Sequence, residues 1–201
     1  MVVDDHPAFR AGLTALLQNQ PDMTVVAEAD NGRDAVAVFR REKPDIILMD
    51  LRLPGISGVE AIMAIRAEFP KARVIVVTTY DRDEDIYRAM QSGAQSYLLK
   101  DMSMEAIVSN IRAVHAGEHP LAPNLANRLA TRIKRGDLSQ RELEILQLLV
   151  KGRSNKEMAN SLSLSEDTIK FHLKSVFTKL SVQSRSEAAV RAVLNGIVQV
   201  E

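Results

Sequence analysis

Residues 45–58 read DIILMDLRLPGISG. The apolar run Ile46–Met49 gives way to Asp50, and a loop carrying Pro54, Gly55 and Gly58 follows. A run of that length between helical stretches reads as a buried parallel strand. The same transition recurs on both sides of it. Residues 1–3 run into Asp4 and Asp5, residues 74–77 into Thr78, and Ser96–Leu99 into Lys100. Residues 24–29 form a further strand candidate, and helix-period stretches fall at 8–19, 33–42, 59–68, 84–92 and 104–116. Five strand-helix units in alternation predict an α/β fold, a doubly wound five-stranded parallel sheet.

In such a sheet, ligands bind beyond the carboxyl ends of the strands. Three carboxylates, a hydroxyl and an ammonium are therefore expected at one rim. Crowded carboxylates repel unless a cation joins them, and hard oxygens at that density suit Mg²⁺. A spare carboxylate, a hydroxyl and a lysine beside that ion make a site for receiving a phosphoryl group. Any one of these residues alone reads as an ordinary polar strand end; the set in strand order does not.

The chain has 201 residues, long enough for one large or two ordinary domains. No apolar run approaches the length of a membrane span. Asp4 and Asp5 interrupt any signal-peptide core at the start. The absence of cysteine excludes a disulfide framework or thiolate metal site and fits a reducing cytoplasm. The net charge is zero, but it is unevenly spread. Residues 1–120 hold 13 basic and 18 acidic side chains, and residues 121–201 hold 13 and 8. An acidic first part joined to a basic second part suggests that the second meets a polyanion.

One glycine and two prolines over 117–123 end the alternation. The chain divides on this reading into 1–117, a linker over 118–137 with a helix near 125–133, and a helical region over 138–201. Ser139 with Glu142 fits a capping box opening a helix that stops at Gly152. Three more helices follow at 154–162, 165–180 and 184–195. In the helix over 165–180, Ile169, Leu173, Val176, Phe177 and Leu180 form one apolar stripe. Lys170, Lys174 and Thr178 share another face, where the lysines can neutralise phosphates or donate to guanine. A short helix, a brief turn and this helix make a helix-turn-helix pattern, with Ser154 and Lys156 near the backbone of the nucleic acid. A solvated basic face on a small bundle would explain the two lysines alone, but not the whole arrangement.

Asp4-Asp5-His6-Pro7, the stretch 45–58, Thr78-Thr79-Tyr80-Asp81 and residues 93–101 (GAQSYLLKD) resemble a response-regulator receiver domain of flavodoxin-like fold. Residues 138–144 (LSQRELE), 152–159 (GRSNKEMA) and 164–180 (LSEDTIKFHLKSVFTKL) resemble a LuxR-type helix-turn-helix. Together they resemble the NarL/FixJ class of two-component transcription factors over nearly the whole chain. The resemblance implies that Asp50 is the phosphoacceptor and that Asp4, Asp5, Asp50 and the backbone carbonyl of Arg52 hold Mg²⁺, or Mn²⁺ in its place. Thr78 and Lys100 would contact the phosphoryl group, and Tyr97 would be the aromatic switch that follows Thr78 inward. Lys170, Phe171 and Lys174 would face the major groove of an operator. The last helix, with Ser184, Ala188 and Arg191, would dimerise. A sensor histidine kinase would be the phosphodonor, in the cytoplasm and without a membrane partner.

The chain departs from the family in three places. The first strand has only residues 1–3 before the acidic pair. Phe171 is larger than the usual residue there, and either reads a thymine methyl or tucks sideways. The exit over 118–123 is unusually proline-broken. His6 reads as a loop residue beside the acid pocket, not as a ligand. A phosphohydrolase forming an aspartyl-phosphate would need a carboxylate two residues past the nucleophile, where Arg52 stands. A DNA binder with a receiver that is never phosphorylated would leave the rim residues without a task.

Overall fold

The computed structural model describes residues 1–198. The chain forms two compact units, one from residues 1–81 and 86–126, the other from 82–85 and 127 onward. The first unit is built on a five-stranded sheet ordered β2-β1-β3-β4-β5, every pairing parallel. Its strands are β1 Val2–Val3, β2 Glu28–Ala29, β3 Ile46–Met49, β4 Arg73–Thr78 and β5 Ser96–Leu99. Helices α1 Pro7–Gln18, α2 Gly32–Glu42, α3 Gly58–Glu68, α4 Asp83–Gln91 and α5 Met104–His115 alternate with them. The central strands read as near-continuous aliphatic runs because both faces are covered; Ile47, Leu48, Met49 and the β4 stretch from Val74 to Val77 are all buried.

The second strand is shorter than the periodicity over 24–29 suggests. β2 is an edge strand with β1 as its neighbour, and β1 pairs through two residues, so only Glu28 and Ala29 join the ladder. Residue alternation reports which side chains alternate faces, but ladder length depends on the neighbour. Helix α2 ends where the sequence places its end, before Pro44. Lys43 sits there in the left-handed conformation (φ 46°) and donates its amide to the Phe39 carbonyl.

The second unit is helical. α6 Pro123–Arg135 is followed by α7 Gln140–Val150, α8 Asn155–Leu162, α9 Glu166–Leu180 and α10 Arg185–Leu194. Each of the last four opens on a serine. Ser139, Ser154, Ser165 and Ser184 accept the amide of the third helical residue, satisfying a donor the helix cannot satisfy internally. Ile145, Leu146, Leu149, Met158, Ile169, Leu173, Val176 and Leu180 form its core. The stripe expected on α9 is therefore its buried face.

Candidate functional site

Parallel pairing puts the carboxyl ends of β1, β3, β4 and β5 along one edge. Register and backbone bonds fix them there. Val3 pairs with Met49, Met49 with Val76, and Thr78 with Leu99. The Asp50 amide donates to the Val3 carbonyl (2.9 Å) and the Lys100 amide to the Thr78 carbonyl (2.8 Å). Asp4, Asp50 and Lys100 thus each stand one step past a ladder, and Thr78 is the last residue of β4. Gly58, at the start of α3, packs against Asp50; a Cβ at Gly58 would overlap the Asp50 carbonyl. Its amide donates to the Leu51 carbonyl, which ties the loop after the acceptor.

Asp4 and Asp50 are buried, and Lys100 Nζ lies 2.6 Å from Oδ2 of both. Burial acts to lower the lysine's pKa, but its hydrogen bonds to Asp4 and Asp50 outweigh that and hold it above the ordinary value. The ammonium also stands 4.8 Å from the centre of the Phe9 ring. Asp50 Oδ1 accepts the Leu51 amide at 2.6 Å, and the Arg52 amide lies 3.4 Å away. The Arg52 guanidinium stacks over the Tyr80 ring at 4.8 Å, joining the loop after β3 to the loop after β4.

The carboxylates fit a hard cation. One ligand atom from each of Asp4, Asp5, His6 and Asp50 lies within 4.8 Å of the others. Asp5 Oδ1 is buried there without an aligned hydrogen bond, although His6 Nδ1 comes within 2.7 Å. A buried carboxylate oxygen left in that state is costly unless a cation or donor meets it.

Thr78 is fully buried, and its Oγ1 lies 3.4 Å from the Tyr80 amide. The Tyr80 carbonyl accepts the Tyr97 hydroxyl at 2.6 Å. Tyr97 is itself fully buried. It therefore occupies the inward position in this structure, whereas the sequence reading has it arriving there only after Thr78 moves. The link through Tyr80 was not legible, because it joins a side chain to a backbone carbonyl 17 residues away.

In the second unit, Lys170, Lys174 and Thr178 are exposed along α9, and Phe171 stands 71% exposed beside them. Lys170 Nζ pairs with Asp167 Oδ1 at 2.9 Å, which raises its pKa. Ser154 caps α8 and bonds Glu157, so its hydroxyl is engaged in the helix start; Lys156 is exposed two residues on. Ser184 likewise caps α10. Ala188 corrects an expectation. It is 0% exposed in the unit's own core and offers no surface to a second copy. The exposed apolar side chains of α10 are Val190, Val193 and Leu194, while Arg191 pairs with Glu187 at 4.0 Å.

Residues 1–112 match the response regulator receiver domain, and residues 137–192 match the luxR family of bacterial regulatory proteins. The chain is 36% identical to the response regulator protein VraR of Staphylococcus epidermidis, over 99% of this chain and 98% of that protein. Among solved structures it is similar to the response regulator ChrA of a heme-sensing two-component system, at 38% identity and a TM-score of 0.56, covering 98% and 97% of the two chains. The RcsB response regulator of Salmonella typhimurium shares the fold, with a TM-score of 0.78 at 23% identity over 94% of this chain and 95% of that one. No described helix is long and apolar enough to cross a membrane. The chain belongs to the NarL/FixJ class of two-component response regulators, a receiver domain joined to a LuxR-type DNA-binding domain.

Proposed function

We propose that this DNA-binding response regulator is switched by phosphorylation of Asp50. The observation that carries the reading is the convergence of Asp4, Asp5 and Asp50 at one strand edge with Lys100 bridging two of them. Asp50 attacks the phosphorus of a phosphohistidine on a sensor kinase. The bond from phosphorus to the kinase imidazole breaks, the imidazole leaves with its electron pair, and an acyl phosphate forms. Asp4, Asp5 and Asp50, with the Arg52 carbonyl, would hold a divalent cation, Mg²⁺ or Mn²⁺, which supplies positive charge against the phosphoryl oxygens. Lys100 leaves its carboxylate partners and donates to the arriving group, and Thr78 donates from the neighbouring strand. The chain promotes only its own phosphotransfer and hydrolysis.

A shift of Thr78 toward the phosphoryl group pulls on Tyr80 and so on the hydroxyl of Tyr97. This shift biases a two-state equilibrium and raises dimerisation or DNA affinity. The receiver would end near residue 117, the linker over 118–137 would carry α6, and residues 138–201 would form the reader. Lys170, Phe171, Lys174 and Thr178 would face the major groove, with Lys156 at the backbone. Dimers would form through the exposed apolar face of α10. The protein would act in the cytoplasm.

Acetyl phosphate with Mg²⁺, followed by intact mass, tests the acceptor. Wild type should gain one phosphoryl group, and Asp50→Asn should gain none while keeping its fold. Equal labelling of the variant would put the acceptor elsewhere.

A further inference from the structure

His6 occupies a position its residue type does not suit. It is the N-cap of α1, where Ser, Thr, Asp or Asn ordinarily accepts an amide of the first turn. It makes no side-chain cap bond. Its backbone is nevertheless held. Pro7 follows it and favours extended geometry at the preceding residue, and His6 has φ −90° and ψ 105°. The His6 amide donates to Asp4 Oδ1 at 2.9 Å. With the backbone so fixed, the imidazole turns to the acidic rim. Nδ1 lies 2.7 Å from Asp5 Oδ1 and 3.3 Å from Asp4 Oδ1.

Those spacings have a simple chemical meaning. Two ligand atoms ~2.1 Å from one ion and at right angles lie roughly 3 Å apart. His6 Nδ1 is therefore spaced from each of the two carboxylate oxygens like a neighbour in one coordination shell. The oxygen nearest the imidazole, Asp5 Oδ1, is the one buried without an aligned hydrogen bond. A cation shared by both atoms would satisfy it. The imidazole remains 68% exposed, so it can adjust its tilt without disturbing the core.

We infer that His6 Nδ1 is a ligand of this rim and biases it toward first-row divalent ions that accept nitrogen, such as Co²⁺, over Mg²⁺. The inference rests on reading Asp4, Asp5 and Asp50 as a cation site. Mg²⁺ favours oxygen and gives up water reluctantly, so the imidazole adds little to its binding. Transition ions take imidazole readily, and their affinities rise along the first row from Mn²⁺ through Co²⁺. His6 then sets which ion holds the rim when both kinds are present.

The test titrates Mg²⁺ and Co²⁺ separately into the full chain by calorimetry and records the Co²⁺ ligand-field absorption. His6→Asn keeps a cap-competent side chain, His6→Ala removes every donor atom, and circular dichroism checks the fold of each. Both should lose about tenfold or more in Co²⁺ affinity, shift the Co²⁺ spectrum and leave Mg²⁺ binding little changed. Asp5→Asn should lose both ions. An unaltered Co²⁺ preference and spectrum in both His6 variants, with both ions lost in Asp5→Asn, overturns the role of His6 alone. Retention of both ions by Asp5→Asn overturns the cation site itself.

Discussion

Two carboxylates of the DNA-binding unit hold lysines for different purposes. Glu142 is 4% exposed, and Lys179 Nζ donates to it at 2.8 Å, with Ser175 and the Ser139 amide also donating. Burial acts to raise its pKa, but these hydrogen bonds overcome it and lower the value to about 2. A lowered carboxylate pKa stabilises the folded state above the ordinary value, and that stability is lost as pH falls toward about 2. Thermal melting of the full chain should show the helical unit weakening over that range. Glu142→Gln should cost about 2 kcal/mol at neutral pH and flatten the acid decline; melting like wild type at both pH values would mean the cluster contributes nothing. Asp167 is different, since it pairs with an exposed Lys170 on the face assigned to DNA. A phosphate competes with Asp167 for that lysine. Asp167→Asn should therefore tighten DNA binding, read by fluorescence anisotropy across a salt series. Unchanged affinity at every salt concentration would put Lys170 away from the nucleic acid.

At the scale of elements, the strand ends were legible, and of the strand lengths only that of β2 was not. Asp50 and Thr78 each follow an aliphatic run and Lys100 follows the buried run SYLL, and a parallel strand covered on both faces needs such buried runs. β2 misled because its pairing depends on the two residues of β1 rather than on its own alternation. The Ser139 cap and the α9 stripe were legible because they depend on local spacing. The burial of Ala188 was not, because a small residue at a helix position carries no sign of which face it occupies. Pairs far apart in sequence, such as Glu142 with Lys179, also escape a linear reading. The two loops above Asp50 meet through Arg52 and Tyr80. With Asp50 as the proposed acceptor, such a stack would stand in the path of water toward phosphorus. Tyr80→Ala should shorten the acyl phosphate lifetime several-fold, followed by mass over time. A decay rate equal to wild type would show that the stack shields nothing.

For the whole molecule, the charge division matches the division of labour. Residues 1–120 carry five more acids than bases, and residues 121–201 carry the reverse. The basic part favours a polyanion, and on the proposed function the acidic part receives the phosphoryl group. Zero net charge thus conceals two opposite surfaces on one chain. The two jobs meet only if the chemical state of Asp50 alters what α9 does. The measurement that addresses this most directly is operator affinity across a salt series, with and without acetyl phosphate and Mg²⁺, for wild type and Asp50→Asn. The expected result is that the phosphodonor tightens wild-type binding at every salt concentration and leaves Asp50→Asn unmoved. Equal tightening in both proteins, or none in a wild type shown by mass to be phosphorylated, would contradict the account.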